Sequence, residues 1–548
     1  MNALSFLCAR GLISTCHNQV ERAVEIIFDP STEQTLKAQA YEFLDQLRSD
    51  PQGWSACLPL VTRRPASSEV VRVYCLDVVN GAIQRQRIDA QGLLFLRDSL
   101  VQYGRGIYGA SGANQEQDPS SIQNKLSQTF TFLFIAMYAS QWTTFFDDIM
   151  SLMHTGDSSI FDNAAGTRLY MKIISSIHDE IADVLVPRDD AQKQRDTELR
   201  DMIRERDIQK ITDSWRQILL QFRSSDAGVV GLCLQAIGRW ASWTDLTLII
   251  NDNLLSLLFG LVNSGLSTQD SEACRLRDAS LNTIMEILGK KMKGPDKLDL
   301  IEVLRINELV AALASSTLLQ DLRFSSNYDT DLAELVARLV NNTVFDIVHI
   351  LETLSPGDPM QLRADNQLKT FLPFVLRFFS DEYDEICSSV IPCLTDLLTF
   401  FRKRAISDGD YASMLPPILQ AIIAKMKYDE TSDWGSEDSQ TDEAEFQDLR
   451  KRLQVLQQAV AAVDETLYID TVSNIVGTAF EAFQTTKGQV DWRDLDLALH
   501  EMYLFGQLAV KNSSLYTKGK PVSSAAERLI SMMFKMLDLG KYQLDSIG

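Results

Sequence analysis

Residues 120–153 read SSIQNKLSQTFTFLFIAMYASQWTTFFDDIMSLM: an amide- and lysine-bearing turn, then aromatics crowded around one tryptophan. Phe130, Phe132, Phe134, Tyr138, Trp142, Phe145 and Phe146 recur every few residues within apolar helical runs. Aromatic platforms of this kind can stack nucleobases. Helical spacing inside apolar runs instead predicts an inter-helix core, with Trp142 sealing the turn between a helix ending near Ser140 and a second starting near Trp142. The longest apolar runs, here and in LLSLLFGLV, are about half the roughly 18 residues that a bilayer span needs. The stretch is one unit of something that repeats.

Working outward, the preceding segments TLKAQAYEFLDQLRSD, GWSACLPLVTR, SEVVRVYCLDVVNGAIQRQ and DAQGLLFLRDSLVQYG each carry apolar residues at helical spacing, and no stretch alternates as a strand. Each helix pair with its turns takes roughly 40 residues, the period of HEAT and armadillo units, so the chain holds about a dozen pairs. The 548 residues exceed what one hydrophobic core accommodates. The fold class predicted is all-α, a HEAT-repeat α-solenoid of antiparallel helix pairs.

Burial explains the stacking. In residues 68–86, Val71, Cys75, Val78 and Ala82 form one stripe, and Tyr74, Leu76, Val79 and Ile83 broaden it beyond what one partner helix can cover. Each large side chain fully buried contributes about 1.5 to 3 kcal/mol, which drives neighbouring pairs together. The opposite edge, Asp77, Asn80 and Gln84, stays polar and is a candidate lining for a binding face.

Composition sets the limits on function. A hydrophobic fraction of 45% with 23% charged residues excludes disorder as the main state. A net charge of -22 argues against nucleic-acid binding by bulk attraction, while leaving room for a local basic surface. The eight cysteines lie far apart without a C-x-x-C and read as packed thiols of a reducing compartment; the five histidines lack metal-ligand spacing. No phosphate loop, dinucleotide fingerprint or nucleophile elbow occurs, and Asp147 with Asp148, adjacent on a helix, do not face each other as acid and base. The sequence predicts no enzyme, no metal and no cofactor.

Three segments break the periodicity. Residues 103–121 form a Gly- and Ser-rich loop, and residues 186–207 alternate charges as a solvated linker and helix start. Residues 428–449 hold nine acids and no base, the sharpest shift in composition, and read as a solvated loop. Among the bases, Arg204 and Lys210 are diluted by acids, whereas Arg402, Lys403 and Arg404 form the best local cluster for phosphates. Asn124, Lys125 and Gln128 fit either a solvated first turn or one that contacts a partner.

The opening stretch also carries a resemblance. Ile122, Asn124, Lys125, Gln128, Leu133, Phe134, Tyr138, Trp142 and Phe145 match a block of the exportins of the importin-β (karyopherin) superfamily, within them the tRNA-exporting branch. Further similar blocks follow in order: RDMIRERDIQKITDSWRQIL, RWASWTDLTLIIND, LRDASLNTIMEILGKKMKGPDKLDLIE, KMKYDETSDWGSEDSQTDEAEFQDLRKRL and VDWRDLDLALHEMYLFGQ. The resemblance runs from about Gln19 to about Leu539, and family members are roughly twice as long as this chain. It implies a receptor that binds tRNA together with the GTP form of Ran, crosses the nuclear pore through Phe-Gly nucleoporins, and releases cargo when Ran hydrolyses GTP. It further implies a monomer shuttling between nucleus and cytoplasm, without membrane insertion, with GTP present only on Ran.

The organisation expected is an extension over 1–18, Ran-binding repeats over 19–185, central repeats over 186–427, an acidic loop over 428–449 and further repeats over 450–548. By the resemblance, Asp77, Asn80, Gln84, Asn124, Lys125 and Gln128 are candidate Ran contacts. Arg204, Lys210, Arg402, Lys403 and Arg404 are candidate tRNA phosphate contacts. The alternative, prompted by the negative charge, is a helical-repeat scaffold that binds proteins and no RNA.

Overall fold

The computed structural model describes residues 13–109, 117–155, 160–266, 270–320, 327–355, 357–404, 409–429, 440–486, 488–512 and 524–539. Among them every regular element is a helix, and the chain divides into two compact units, 1–290 and 291–548. The predicted extension over 1–18, and the middle of the acidic segment, lie mostly outside the described residues.

The first unit holds α1 (Ile13–Phe28), α2 (Gln34–Ser49), α3 (Gly53–Thr62), α4 (Glu69–Gln84), α5 (Ala90–Ile107), α6 (Ser120–Met137), α7 (Phe145–Met150), α8 (Ala164–Ile181), α9 (Asp190–Arg206), α10 (Ile208–Phe222), α11 (Ala227–Ala241), α12 (Leu246–Ile249), α13 (Asp252–Leu266) and α14 (Ser271–Leu288). The second helices of successive pairs make a continuous row: α4 packs on α3 and α6, α6 on α8, α8 on α11, and α11 on α14. This is the stacking of helical repeats. In α4, Val71, Cys75, Leu76, Val78, Val79 and Ile83 are all buried, so the stripe and its broadening both find cover.

The aromatics of the quoted stretch are core. Phe134 meets Tyr138 at 4.6 Å and Phe145 at 5.1 Å between ring centroids, Trp142 meets Phe145 at 4.8 Å, and all are buried. The helix ends earlier than its periodicity indicates. The amides of Ser140, Gln141 and Trp142 converge on the Met137 carbonyl, at 3.2, 2.8 and 2.9 Å, which closes a turn and moves the next helix start to Phe145. Trp142 Nε1 then donates to Asp148 Oδ2 at 2.9 Å, so Asp148 braces the turn.

Residues 186–207 also depart from expectation. Most of the segment is helix α9, opened by a capping box in which Asp189 accepts from the Gln192 amide at 2.8 Å and Gln192 Oε1 accepts from the Asp189 amide at 3.0 Å. Its buried strip is Asp196, Leu199 and Ile203. Charge density misled because one apolar row suffices to seat a helix whose other faces are solvated.

The second unit holds α15 (Gly294–Val303), α16 (Ile306–Ala314), α17 (Thr317–Gln320), α18 (Thr330–Thr353), α19 (Pro359–Phe379), α20 (Asp384–Lys403), α21 (Gly409–Ala412), α22 (Leu415–Lys425), α23 (Gln440–Val463), α24 (Glu465–Thr486), α25 (Trp492–Asn512) and α26 (Ser524–Leu539). Here α18 packs on α20, α20 on α23, and α24 on both α25 and α26. Pro392 lies inside α20 and lacks an amide hydrogen; the next amide, Cys393, donates to Asn341 Oδ1 of α18 at 3.0 Å. A weakness in one helix thereby becomes a stitch to its neighbour.

Candidate partner-binding faces

Four of the six candidate Ran contacts meet in two pairs along the α4–α6 edge. Lys125 Nζ donates to Asp77 Oδ1 at 2.7 Å, and Asn80 Nδ2 approaches Gln128 Oε1 at 3.5 Å. The match follows from spacing: three residues separate the members of each pair on both helices, so the pairs lie one helical turn apart. Asn124 Oδ1 accepts from Lys172 Nζ of α8 at 2.9 Å, and Gln84 is exposed on the last turn of α4. Asn80 differs from the solvent-facing row predicted for it. It is 4% exposed, closed over where α6 packs on α4, and its Oδ1 has no hydrogen-bond partner.

This edge belongs to a longer series of cross-links that sequence reasoning missed. After Asp77–Lys125 and Asn124–Lys172, Arg168 of α8 pairs with Asp226 at 2.8 Å, and Asp179 of α8 pairs with Arg239 of α11 at 2.9 Å. Arg168, Lys172 and Asp179 share one face of α8 by their spacing, which is the signal that could have revealed them. Partial burial first, then the neighbouring Arg168 charge, lowers the Lys172 pKa. Its ammonium is thus held by amide and hydroxyl oxygens, with no carboxylate in the set.

Beneath that edge lies a buried knot. Asp118, just before α6, is 2.8 Å from Arg72 Nη1 of α4 and accepts from the hydroxyls of Tyr103 and Tyr108 at 2.7 Å. Burial works against its charge, but the Arg72 and Tyr103 hydrogen bonds outweigh that cost and hold its carboxyl below the usual range. Asp118 therefore anchors the start of α6, and with it the register of Asn124, Lys125 and Gln128.

The candidate phosphate contacts are differently placed. In the first unit, Arg204 donates to the Trp243 carbonyl at 2.9 and 3.1 Å with its guanidinium over the Trp243 ring, and Lys210 pairs with Asp147 at 2.8 Å and Asp207 at 3.3 Å. The Asp147 hydrogen bond leads the causes that raise the Lys210 pKa. In the second unit, Lys403 pairs with Glu352 at 2.7 Å, and Arg404 donates to the carbonyls of Leu351 and Leu354 at 2.8 and 3.2 Å, capping the end of α18. Arg402 is exposed on the last turn of α20. The local positive charge legible in sequence is thus largely answered within the protein.

The base of the acidic segment has its own architecture. Arg450 of α23, 4% exposed, donates to the Met426 carbonyl at 2.7 and 2.9 Å, pairs with Asp496 of α25 at 2.5 Å, and lies over the rings of Tyr428 and Phe446 at 4.5 and 4.8 Å. Tyr428 meets the tilted Trp492 ring at 5.2 Å between centroids and donates to Glu443 at 2.7 Å. Both described ends of the segment are therefore held to one cation. Among the described residues no group of three or more His, Cys, Asp or Glu could hold a metal, and no helix is long and apolar enough to cross a membrane.

Stacked helix pairs carrying the blocks quoted above define a helical-repeat chain. Residues 119–284 match the family model "Exportin 1-like protein" and residues 358–547 match the family model "Exportin-T". Several curated proteins similar to this chain are named Exportin-T. The Aspergillus clavatus protein of that name is 53% identical over 95% of this chain and 51% of its own length, and that of Chaetomium globosum is 49% identical over 95% and 50%. The chain spans about half the length of the curated relatives it matches. A solved structure described as "Importin13 cytosolic state" shares the fold, with a TM-score of 0.56 and 11% identity over 80% of this chain and 49% of that one.

Proposed function

We propose that this chain is part of a nuclear export receptor, not an enzyme, that binds tRNA cooperatively with GTP-loaded Ran and carries it through the nuclear pore to the cytoplasm. The observation that supports this most is the 53% identity to an Exportin-T along nearly the whole chain. On this reading the α4–α6 edge, with Asp77, Gln84, Asn124, Lys125 and Gln128, faces Ran, while Asn80 supports it from beneath. Arg402 is the foremost phosphate contact; Arg204, Lys210, Lys403 and Arg404 would first have to exchange an internal partner for a phosphate. Such contacts read the shape of folded RNA, because the deep major groove of A-form helices hides base edges. Phe-Gly nucleoporins are the pore partners, and GTP enters only on Ran.

The test is a titration of labelled tRNA with and without GTP-loaded Ran. A coupling of about 1 to 3 kcal/mol tightens each ligand roughly 5- to 150-fold in the presence of the other, and does so reciprocally. For residues 1–548 alone, the expected result is retained contact with Ran and weak tRNA binding. Absence of mutual enhancement in a form as long as the relatives removes the mechanism. A lack of any tRNA shift at low salt favours the protein scaffold.

A further inference from the structure

Three places in the chain carry three bases within four residues: Lys290-Lys291-Met292-Lys293, Arg402-Lys403-Arg404 and Arg450-Lys451-Arg452. In the second and third, carboxylates answer much of the charge. Lys403 pairs with Glu352 at 2.7 Å, Arg450 with Asp496 at 2.5 Å, and Lys451 with Asp448 at 2.7 Å. The first run differs. It links α14 to α15, and no acid falls between Glu286 and Asp296. Lys290 is turned onto the end of α11, where its ammonium donates to the Ala241 carbonyl at 3.0 Å and to that of Thr244. Partial burial lowers the Lys290 pKa, with Asp245 acting in the opposite sense. At the other end of the link, the Lys293 carbonyl accepts from the Lys297 amide at 2.9 Å and opens α15. The link is thus held at both ends without using the side chains of Lys291 and Lys293. Both are exposed, and among the described residues neither pairs with a carboxylate.

We propose that Lys291 and Lys293 are phosphate contacts for the RNA cargo, on a link that Lys290 anchors. This rests on the receptor reading above and adds a site outside the two basic regions already considered. The chemistry favours a polyanion for two reasons. A chain of net charge -22 repels RNA in bulk, so phosphates dock where cations locally outnumber acids. Lys403 and Arg404 would each have to give up an internal partner to meet a phosphate, whereas Lys291 and Lys293 exchange only water and counterions, whose release drives binding. An ammonium is a point charge that makes no demand on the plane of its acceptor, so the pair positions the backbone of a folded RNA and does not read its bases.

The test measures labelled tRNA binding across a salt series for wild type, Lys291→Ala/Lys293→Ala and Lys291→Arg/Lys293→Arg. The alanine variant is expected to melt like wild type, to lose roughly tenfold in tRNA affinity, and to lower the slope of log affinity against log salt by about 2. The arginine variant keeps both charges and should bind as wild type does. GTP-loaded Ran, titrated alone, should bind all three equally. In a second measurement, tRNA should protect Lys291 and Lys293 from acetylation by a lysine-directed reagent. An unchanged affinity and salt slope in the alanine variant overturns the contact and leaves the receptor reading intact. Weakened Ran binding with tRNA unaffected overturns it in favour of a contact with an acidic protein face. If wild type shows no tRNA shift even at low salt, the receptor reading fails for this chain, and the contact with it.

Discussion

Lys125 and Asp77, both candidate contacts for Ran, are 2.7 Å apart and pair with each other. Both are partly exposed, so the pair contributes at most about 1 kcal/mol to stability. Any partner that takes one must release the other. Lys125→Ala is expected to leave unfolding nearly unchanged while weakening Ran binding about fivefold or more. The swap Asp77→Lys/Lys125→Asp keeps the pair and reverses its polarity. Retained stability with lost binding, measured by thermal melts and titration, identifies a contact; unchanged binding in both variants assigns the pair to packing alone.

Arg402 and Arg404, two residues apart, should respond in opposite ways. Arg404→Ala removes the donors from two carbonyls at the end of α18 and is expected to cost about 1 to 3 kcal/mol of stability without changing tRNA affinity. Arg402→Ala should leave stability alone, weaken tRNA binding, and reduce the salt dependence of binding by about one phosphate's worth. Measuring affinity across a salt series, together with melting, separates the two.

Arg450 holds both ends of the acidic segment. Removing it leaves Asp496 and the Met426 carbonyl without their buried partner, so Arg450→Ala should destabilise the second unit by about 3 to 5 kcal/mol. Hydrogen exchange should rise first in residues 426–429 and 440–450. Exchange that rises uniformly through α18 to α26 would show that the cation supports the whole unit instead.

Glu501 of α25 is buried, with Gln457 donating to one oxygen and no hydrogen-bond partner at the other. Burial pushes its pKa from 4.5 up to about 7. A carboxyl raised on folding stabilises the fold fully below its unfolded value and loses that contribution as pH rises through its folded value. The second unit should therefore weaken by about 3 kcal/mol between pH 4.5 and 8 from this group. Glu501→Gln keeps the shape of the protonated form and should flatten the profile, measured as denaturant midpoint against pH.

Most of the fold was legible because it rests on periodicity. The Val71, Cys75 and Val78 stripe and the aromatics from Phe130 to Phe146 are buried as their spacing indicates. Less of the binding face was legible. A run of bases such as Arg402 to Arg404 shows charge but not the carbonyls or carboxylates that answer it, since those partners lie about 50 residues away in sequence. Asn80 was misplaced for a related reason: helical spacing gives the edge of one helix, while the neighbour that covers it is a property of the stack. The charged run of α9 concealed a seat made by only Asp196, Leu199 and Ile203. The Arg450 clamp escaped notice because its parts, Tyr428, Phe446, Arg450 and Asp496, come from three separate segments.

The buried tryptophans of the first unit have a practical corollary. Of the seven in the chain, Trp54, Trp142, Trp215, Trp240 and Trp243 fall within residues 1–290. Intrinsic emission will therefore follow mainly that unit, whereas far-ultraviolet dichroism weighs all helices alike. Denaturation curves from the two optical signals need not coincide, and a gap between their midpoints reads out the independence of the two units.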